Sequence, residues 1–163
     1  LILMFTSILS GAILMDYREA IQVLPLLLSF VPMLMDTSGN CGNQSSTMVI
    51  RGMAVGDIEL KDVLRVVWKE FRVGLLCGAV LAAANFIRLI LQYPDRQALN
   101  LAIVLSLMLA IVLAKIIGCV LPMLAEKMKL DPAIMAAPLI TTIVDASSLL
   151  IYFKIASMLL HLS

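Results

Sequence analysis

Pro138-Leu-Ile-Thr-Thr-Ile-Val-Asp-Ala-Ser-Ser148 places a carboxylate, Asp145, in the middle of an apolar run from Ala133 to Leu160. A membrane-crossing helix needs about 20 mainly apolar residues, so this run is long enough to cross a bilayer as one helix. Helical spacing puts Thr141, Asp145, Ser148 and Tyr152 on one face. Lys154 falls roughly opposite, near the far end, where a lysine reaches the interface. An acid held at membrane depth on a hydroxyl-lined stripe marks an ion path or a proton relay. The plainer alternative is an acid that only pairs with a neighbouring helix.

The rest of the chain agrees with a membrane setting. Of 163 residues, 62% are hydrophobic and 14% charged, against about 45–50% and 25% in soluble domains. This is the composition of an all-α, polytopic membrane protein built as one domain. A net charge of +1 without a basic cluster interleaved with aromatics gives no reason to expect a nucleic-acid partner. Cys41, Cys77 and Cys119 are isolated and the single histidine, His161, is near the end, so the spacings do not suit a zinc or redox site. The eleven methionines are read as lipid-facing or gap-filling.

Five apolar segments emerge. The first, Leu1–Met15, lacks an initiator Met, a basic flank and a small-residue cleavage site, so it is read as a first helix cut at its N-terminus and not as a signal peptide. Residues 1–163 thus read as one transmembrane domain from a longer protein. The second segment is apolar from Ile21 to Met35, then polar from Asp36 to Ser46. A charged stretch from Arg51 to Arg72 leads into an amphipathic start of the third helix, with Asp57 as its expected cap and Val73–Leu91 as the span. After a turn at Pro94-Asp-Arg96 the fourth span covers Leu101–Ala125, and Asp131-Pro132 opens the fifth helix. Arg51, Lys61, Arg65, Lys69, Arg72, Lys127 and Lys129 lie in the second-to-third and fourth-to-fifth links, whereas Arg18, Arg88 and Arg96 lie on the other side. The positive-inside rule then predicts a cytoplasmic N-terminus and an external C-terminus. Gly74 with Gly78, Ala114 with Gly118, and Ser7 with Gly11 are small-residue pairs suited to close helix packing in lipid.

If residues 36–47 are helical, Asp36, Asn40, Asn43 and Thr47 share one face, with Gln44 beside it. Gly39 and Gly42 leave a partly unwound backbone equally open, tolerated only where it lines a water-filled cavity. Either form offers amide oxygens, carbonyls and a carboxylate that cannot face lipid, and the economical solution turns them toward the Asp145 face. Oxygen ligands of low charge suit a hard cation. A wide polar passage with a sparse acid fits hydrated magnesium better than a dehydrating cage, because magnesium sheds water reluctantly. Composition alone leaves manganese, calcium and cobalt open at the same site.

The run Asp36-Thr-Ser-Gly-Asn-Cys-Gly-Asn-Gln44, followed by Arg51-Gly52, resembles the Gly-Thr-Gly-Gly-Asn-x-Gly-x-Gln signature of MgtE-type magnesium channels. Leu130-Asp-Pro-Ala133, Pro138 through Asp145, and Leu149-Leu-Ile-Tyr152 are similar to that family's last span, and Lys69-Glu70 with Val73-Gly-Leu-Leu76 to the start of its third helix. The resemblance covers essentially the whole chain, in order. It implies a homodimer of five-helix subunits in a prokaryotic cell membrane, with a magnesium pore at the dimer interface lined by the second and fifth helices. It further implies that Asp145 is the pore aspartate, facing its copy across the axis. Asn43 lies near the ion, the Gly39 backbone approaches it, and Thr141 falls where a main-chain carbonyl is offered. Asp36, Asn40, Pro138 and Ser148 join them along the pore.

There are departures from the family pattern. Asp36 and Ser38 stand where the signature has glycines, and the added acid would enlarge the cation-attracting field or shift selectivity. Ala137 occupies a pore position where some members carry a polar ligand, so that contact is not available. Lys115, deep in the fourth span, either pairs with an acid or must reach about 15 Å to the inner interface, which is too far for one side chain. The family's cytoplasmic regulatory part, an N-terminal domain with paired CBS modules, is not among these residues, and its magnesium-sensing closure is expected to be lost with it.

Two other classes remain to be weighed. An intramembrane aspartyl protease would need Asp36 and Asp145 to share a proton, but its Gly-x-Gly-Asp pattern is missing around both acids. A proton- or sodium-coupled secondary transporter of divalent cations is the closer rival, since such proteins also carry intramembrane acids and broken polar segments.

Overall fold

The computed structural model describes residues 2–160, with residues 2–3, 5–7 and 133–137 as backbone only. Among the described residues the protein is all helix, without a strand: α1 (Ile2–Asp16), α2 (Arg18–Val23), a 3₁₀ turn (Pro25–Phe30), α3 (Val31–Ala54), a second 3₁₀ turn (Leu60–Asp62), α4 (Val63–Gln92), α5 (Gln97–Lys127) and α6 (Pro132–Leu160). Three helical stretches are long and apolar enough to cross a membrane: Leu60–Gln92, Gln97–Lys127 and Pro138–Leu160.

The second apolar segment does not form one helix. Leu24 is extended (φ −138°, ψ 80°) because the proline after it disfavours helical geometry, and Pro25 has no N–H to continue the ladder. The chain restarts in the 3₁₀ turn, and Pro32 sits in the first turn of α3, where a missing N–H costs nothing. The 24 residues of α3 span about 36 Å. The helix runs unbroken through Gly39 and Gly42, so the polar stretch is regular helix and not the unwound backbone the glycines left open. α6 starts at Pro132, as the Asp131-Pro132 pair predicts.

Asp57 does not cap the third long helix. Its N–H closes a turn onto the Gly52 carbonyl (2.9 Å), beside Gly56 at φ +79°, a backbone angle that favours glycine. Glu59 and Asp62 cap the entry to α4 instead, with the Glu59 N–H donating to Asp62 Oδ2 at 3.0 Å. At the other end Asn100, fully buried, donates from Nδ2 to the Tyr93 carbonyl (2.9 Å) and satisfies the end of α4.

α5 is the central helix. Its apolar window is 56% buried, against 22% for α4, which turns Leu64, Leu76, Val80, Ile87 and Leu91 outward. α3, α4 and α6 all pack on α5, and α1 packs on α6. Tyr17 stacks on Phe153 (centroids 5.1 Å apart), and the Tyr152 hydroxyl donates to the Leu27 carbonyl at 3.0 Å, fastening the 3₁₀ turn to α6.

Glycines set how closely the helices approach. A Cβ on Gly118 would run into the carbonyl and Cα of Gly42, so α5 and α3 cross backbone to backbone. Gly74 lies against Val112 Cα and Gly78 against Met108, which holds α4 close to α5. Gly11 is different, because a Cβ there meets nothing within 4 Å. Gly118→Ala should therefore lower thermal stability by about 1–3 kcal/mol, since backbone cannot step aside. Gly11→Ala should be neutral or stabilising by up to about 1 kcal/mol. Thermal unfolding of both variants in detergent checks the contrast.

Candidate metal site

The continuous helix of α3 turns Asp36, Asn40, Gln44 and Thr47 to the exposed side, while Ser38, Gly39, Cys41, Gly42 and Ser45 are buried. Asp36, Gly39, Asn40 and Asn43 of α3 meet Thr141 and Asp145 of α6 in one pocket of ≈ 170 Å³, with Met35 at its rim. Six of the residues singled out in the sequence thus converge.

Gly39 is what lets the carboxylate in. A Cβ built on it would lie 3.7 Å from Asp145 Oδ1, so the α3 backbone and the acid are neighbours without a side chain between them. Asn43 Oδ1 is buried and accepts no hydrogen bond, an acceptor that costs free energy until a donor or cation reaches it. Its backbone carbonyl accepts from the Thr47 hydroxyl (2.9 Å). On α6 the hydroxyls of Thr141 and Thr142 both donate to the Pro138 carbonyl (3.1 and 2.8 Å).

Other expected positions fall elsewhere. Ser148 is 1% exposed, and its hydroxyl lies 2.8 Å from that of Ser38, a buried bond between α6 and α3. Pro138 is half-buried, one turn from the pocket. The Ala137 side chain lies outside the described residues.

The donor set is oxygen: two carboxylates, amide oxygens, a hydroxyl and the Gly39 backbone. Among the described residues no three of His, Cys, Asp and Glu cluster closely enough to hold a metal. Such a sparse set cannot strip a small divalent ion of its waters. It suits an ion that keeps them, with the carboxylates and Asn43 Oδ1 accepting from the hydration shell.

A wider groove of ≈ 610 Å³, lined by Asn40, Asn43, Gln44, Thr47, Met48 and Lys115, shares Asn40 and Asn43 with the pocket. Lys115 resolves as the first of its two sequence alternatives. Its ammonium lies 3.6 Å from Glu70 Oε2, with the two side chains 6% and 4% exposed. The Ser45 hydroxyl donates to the same oxygen at 2.5 Å. Glu70, read in the sequence only as part of a helix start, is thus a buried charge joining α3, α4 and α5. The one signal for it was the depth of Lys115, which demands a counter-charge.

A family profile described as a divalent cation transporter, MgtE, matches residues 31–155. The chain belongs to the MgtE family. The match starts at the first residue of α3 and ends in α6, so it takes in both helices of the pocket. Over 161 residues the chain is 38% identical to the magnesium transporter MgtE of Thermus thermophilus, covering 98% of this chain and 35% of that protein. It is 35% identical to the magnesium transporter MgtE of Bacillus subtilis (99% and 36% covered) and 31% identical to that of Enterococcus faecalis (98% and 35%). This MgtE-family chain therefore spans about a third of the length of the curated relatives it matches. Its apolar helices are those of a membrane protein.

The orphaned oxygen of Asn43 generates a prediction. Asn43→Leu should raise thermal stability in detergent free of divalent ions, by about 1–3 kcal/mol, because a buried unpaired acceptor is removed. Added magnesium should then raise the melting temperature less than it does for the unaltered protein. Melting curves with and without the ion check both effects.

Proposed function

We propose that this chain is the pore-forming part of a magnesium transporter and that it conducts hydrated Mg²⁺ down its electrochemical gradient between two copies of itself. The observation that carries the proposal is the polar pocket between α3 and α6, with Asp145 and Asp36 in it, and the groove beside it along α3 and α5, both open on the side of a single subunit. Polar groups at membrane depth cannot face hydrocarbon. A second copy laid against the groove covers it and encloses a passage, with two Asp145 carboxylates facing one axis. The names of the relatives supply the ion.

In this reading the subunit has five membrane-crossing segments. α1 with α2, and α3, join the three apolar helices; α3 crosses despite its polarity because one face lines water. The basic ends of α3, α4 and α5 lie in the cytoplasm. Mg²⁺ is cargo. It holds its waters, and Asp145, Asp36, Asn43 Oδ1 and the carbonyls near Gly39 and Thr141 orient them. Two charges per carboxylate pair attract the ion strongly enough to select it, while retained waters keep it mobile enough to leave. The oxygen lining leaves Mn²⁺, Ca²⁺ and Co²⁺ as competitors. The function is transport, not catalysis.

Asp145→Asn should keep the fold and abolish Mg²⁺ influx into proteoliposomes, and the melting temperature should no longer rise with magnesium. Influx that follows the Mg²⁺ gradient with pH and sodium equal on both sides is the expected result. Influx that requires a proton or sodium gradient would replace the channel with the coupled transporter.

A further inference from the structure

A fixed positive charge on the wall of a cation passage opposes the passage's own purpose, and Lys115 is such a charge. It shares the ≈ 610 Å³ groove with Asn40 and Asn43, which also line the Asp145 pocket. Behind it Glu70 lines a separate cavity of ≈ 350 Å³ that reaches Asp57, Asp62 and Arg65 at the polar end of the bundle. Met48 borders both spaces. The pair therefore stands between the groove and the polar end, about 18 Å along α5 from its C-terminus.

The lysine stem has little freedom to leave. Gly74 of α4 lies close enough that a Cβ there would sit 3.5 and 3.6 Å from Lys115 Cβ and Cγ. The stem thus runs along α4 toward Glu70, one turn earlier on the same helix. Ser45 fixes the acceptor from the α3 side, donating to the oxygen that faces the ammonium. Three helices contribute to holding one charge pair in place.

We propose that Glu70 is a positioning residue for transport: it draws Lys115 back from the groove and cancels its charge, so that the pair sets the potential a divalent ion meets beyond the Asp145 pocket. The inference rests on reading the groove as the ion passage. A unit charge about 10 Å from a divalent ion shifts its binding by about tenfold in surroundings between protein and water.

The experiment measures Mg²⁺ influx into proteoliposomes against Mg²⁺ concentration, using an entrapped magnesium indicator. Glu70→Gln should raise the half-maximal concentration about tenfold, because Lys115 then faces the groove uncompensated. Lys115→Met should lower it, and E70Q/K115M should return it close to the starting value. A merely structural ion pair would weaken transport in both single variants, so a raised half-maximal concentration in Lys115→Met overturns the proposal. So does an unchanged value in all three. If Glu70→Gln does not fold, Lys115→Met and the double variant decide alone. Asp145→Asn separates the two levels: influx retained there overturns the passage itself, while influx lost there with the wrong sign in Lys115→Met overturns only the role of Glu70.

Discussion

Hydrocarbon hydrates nothing, and a carboxylate placed in it must bring its own polar surroundings. Asp145 meets this condition through α3, whose outward face carries Asp36, Asn40 and Asn43 to the same pocket. Neither helix is tolerable alone at membrane depth. Together they enclose a small polar space that stays open on one side of the subunit. The polar stripe of α3 and the lone acid of α6 are therefore one feature divided between two helices.

The close approach of the helices depends on missing side chains. Helices in lipid gain little from hydrophobic attraction to each other, so backbone contact and van der Waals packing hold them. Gly42 and Gly118 meet backbone to backbone, which seats α3 on α5, while the same buried side of α3 meets Ile140 and Val144 of α6. Gly39 serves the site more directly, since its bare Cα gives the Asp145 carboxyl room beside the main chain. Glycines that cost helix propensity in water here decide which faces meet.

The same bundle buries a second pair of charges. Glu70 and Lys115 are nearly inaccessible, and Ser45 completes the acid's hydrogen bonding. Such a pair contributes little to stability compared with well-packed apolar side chains, although breaking it by removing one partner costs several kcal/mol. Its interest lies in position, between a groove lined by amides and a cavity leading to the basic end. Family membership extends across both polar features, because the matched residues include α3 through most of α6.

Much of this was legible from local order. The depth of Asp145 follows from the length of its apolar run, and the shared face of Asp36, Asn40 and Asn43 follows from helical period. Pro132 marked the start of α6. Lys115 announced that it needed an acid. Periodicity names a face but gives no rotation of that face relative to another helix, so the identity of the acid, Glu70, was hidden, as were the Ser38–Ser148 and Tyr152–Leu27 bonds. The break before Pro25 and the cap at Glu59–Asp62 also escaped, because several residues near each boundary have the chemistry to end or begin a helix. Residue order alone is enough for the membrane class, the polar stripes and the family. Tertiary structure alone decided which stripe meets which, because helix azimuth is set by backbone contacts between residues far apart in the chain.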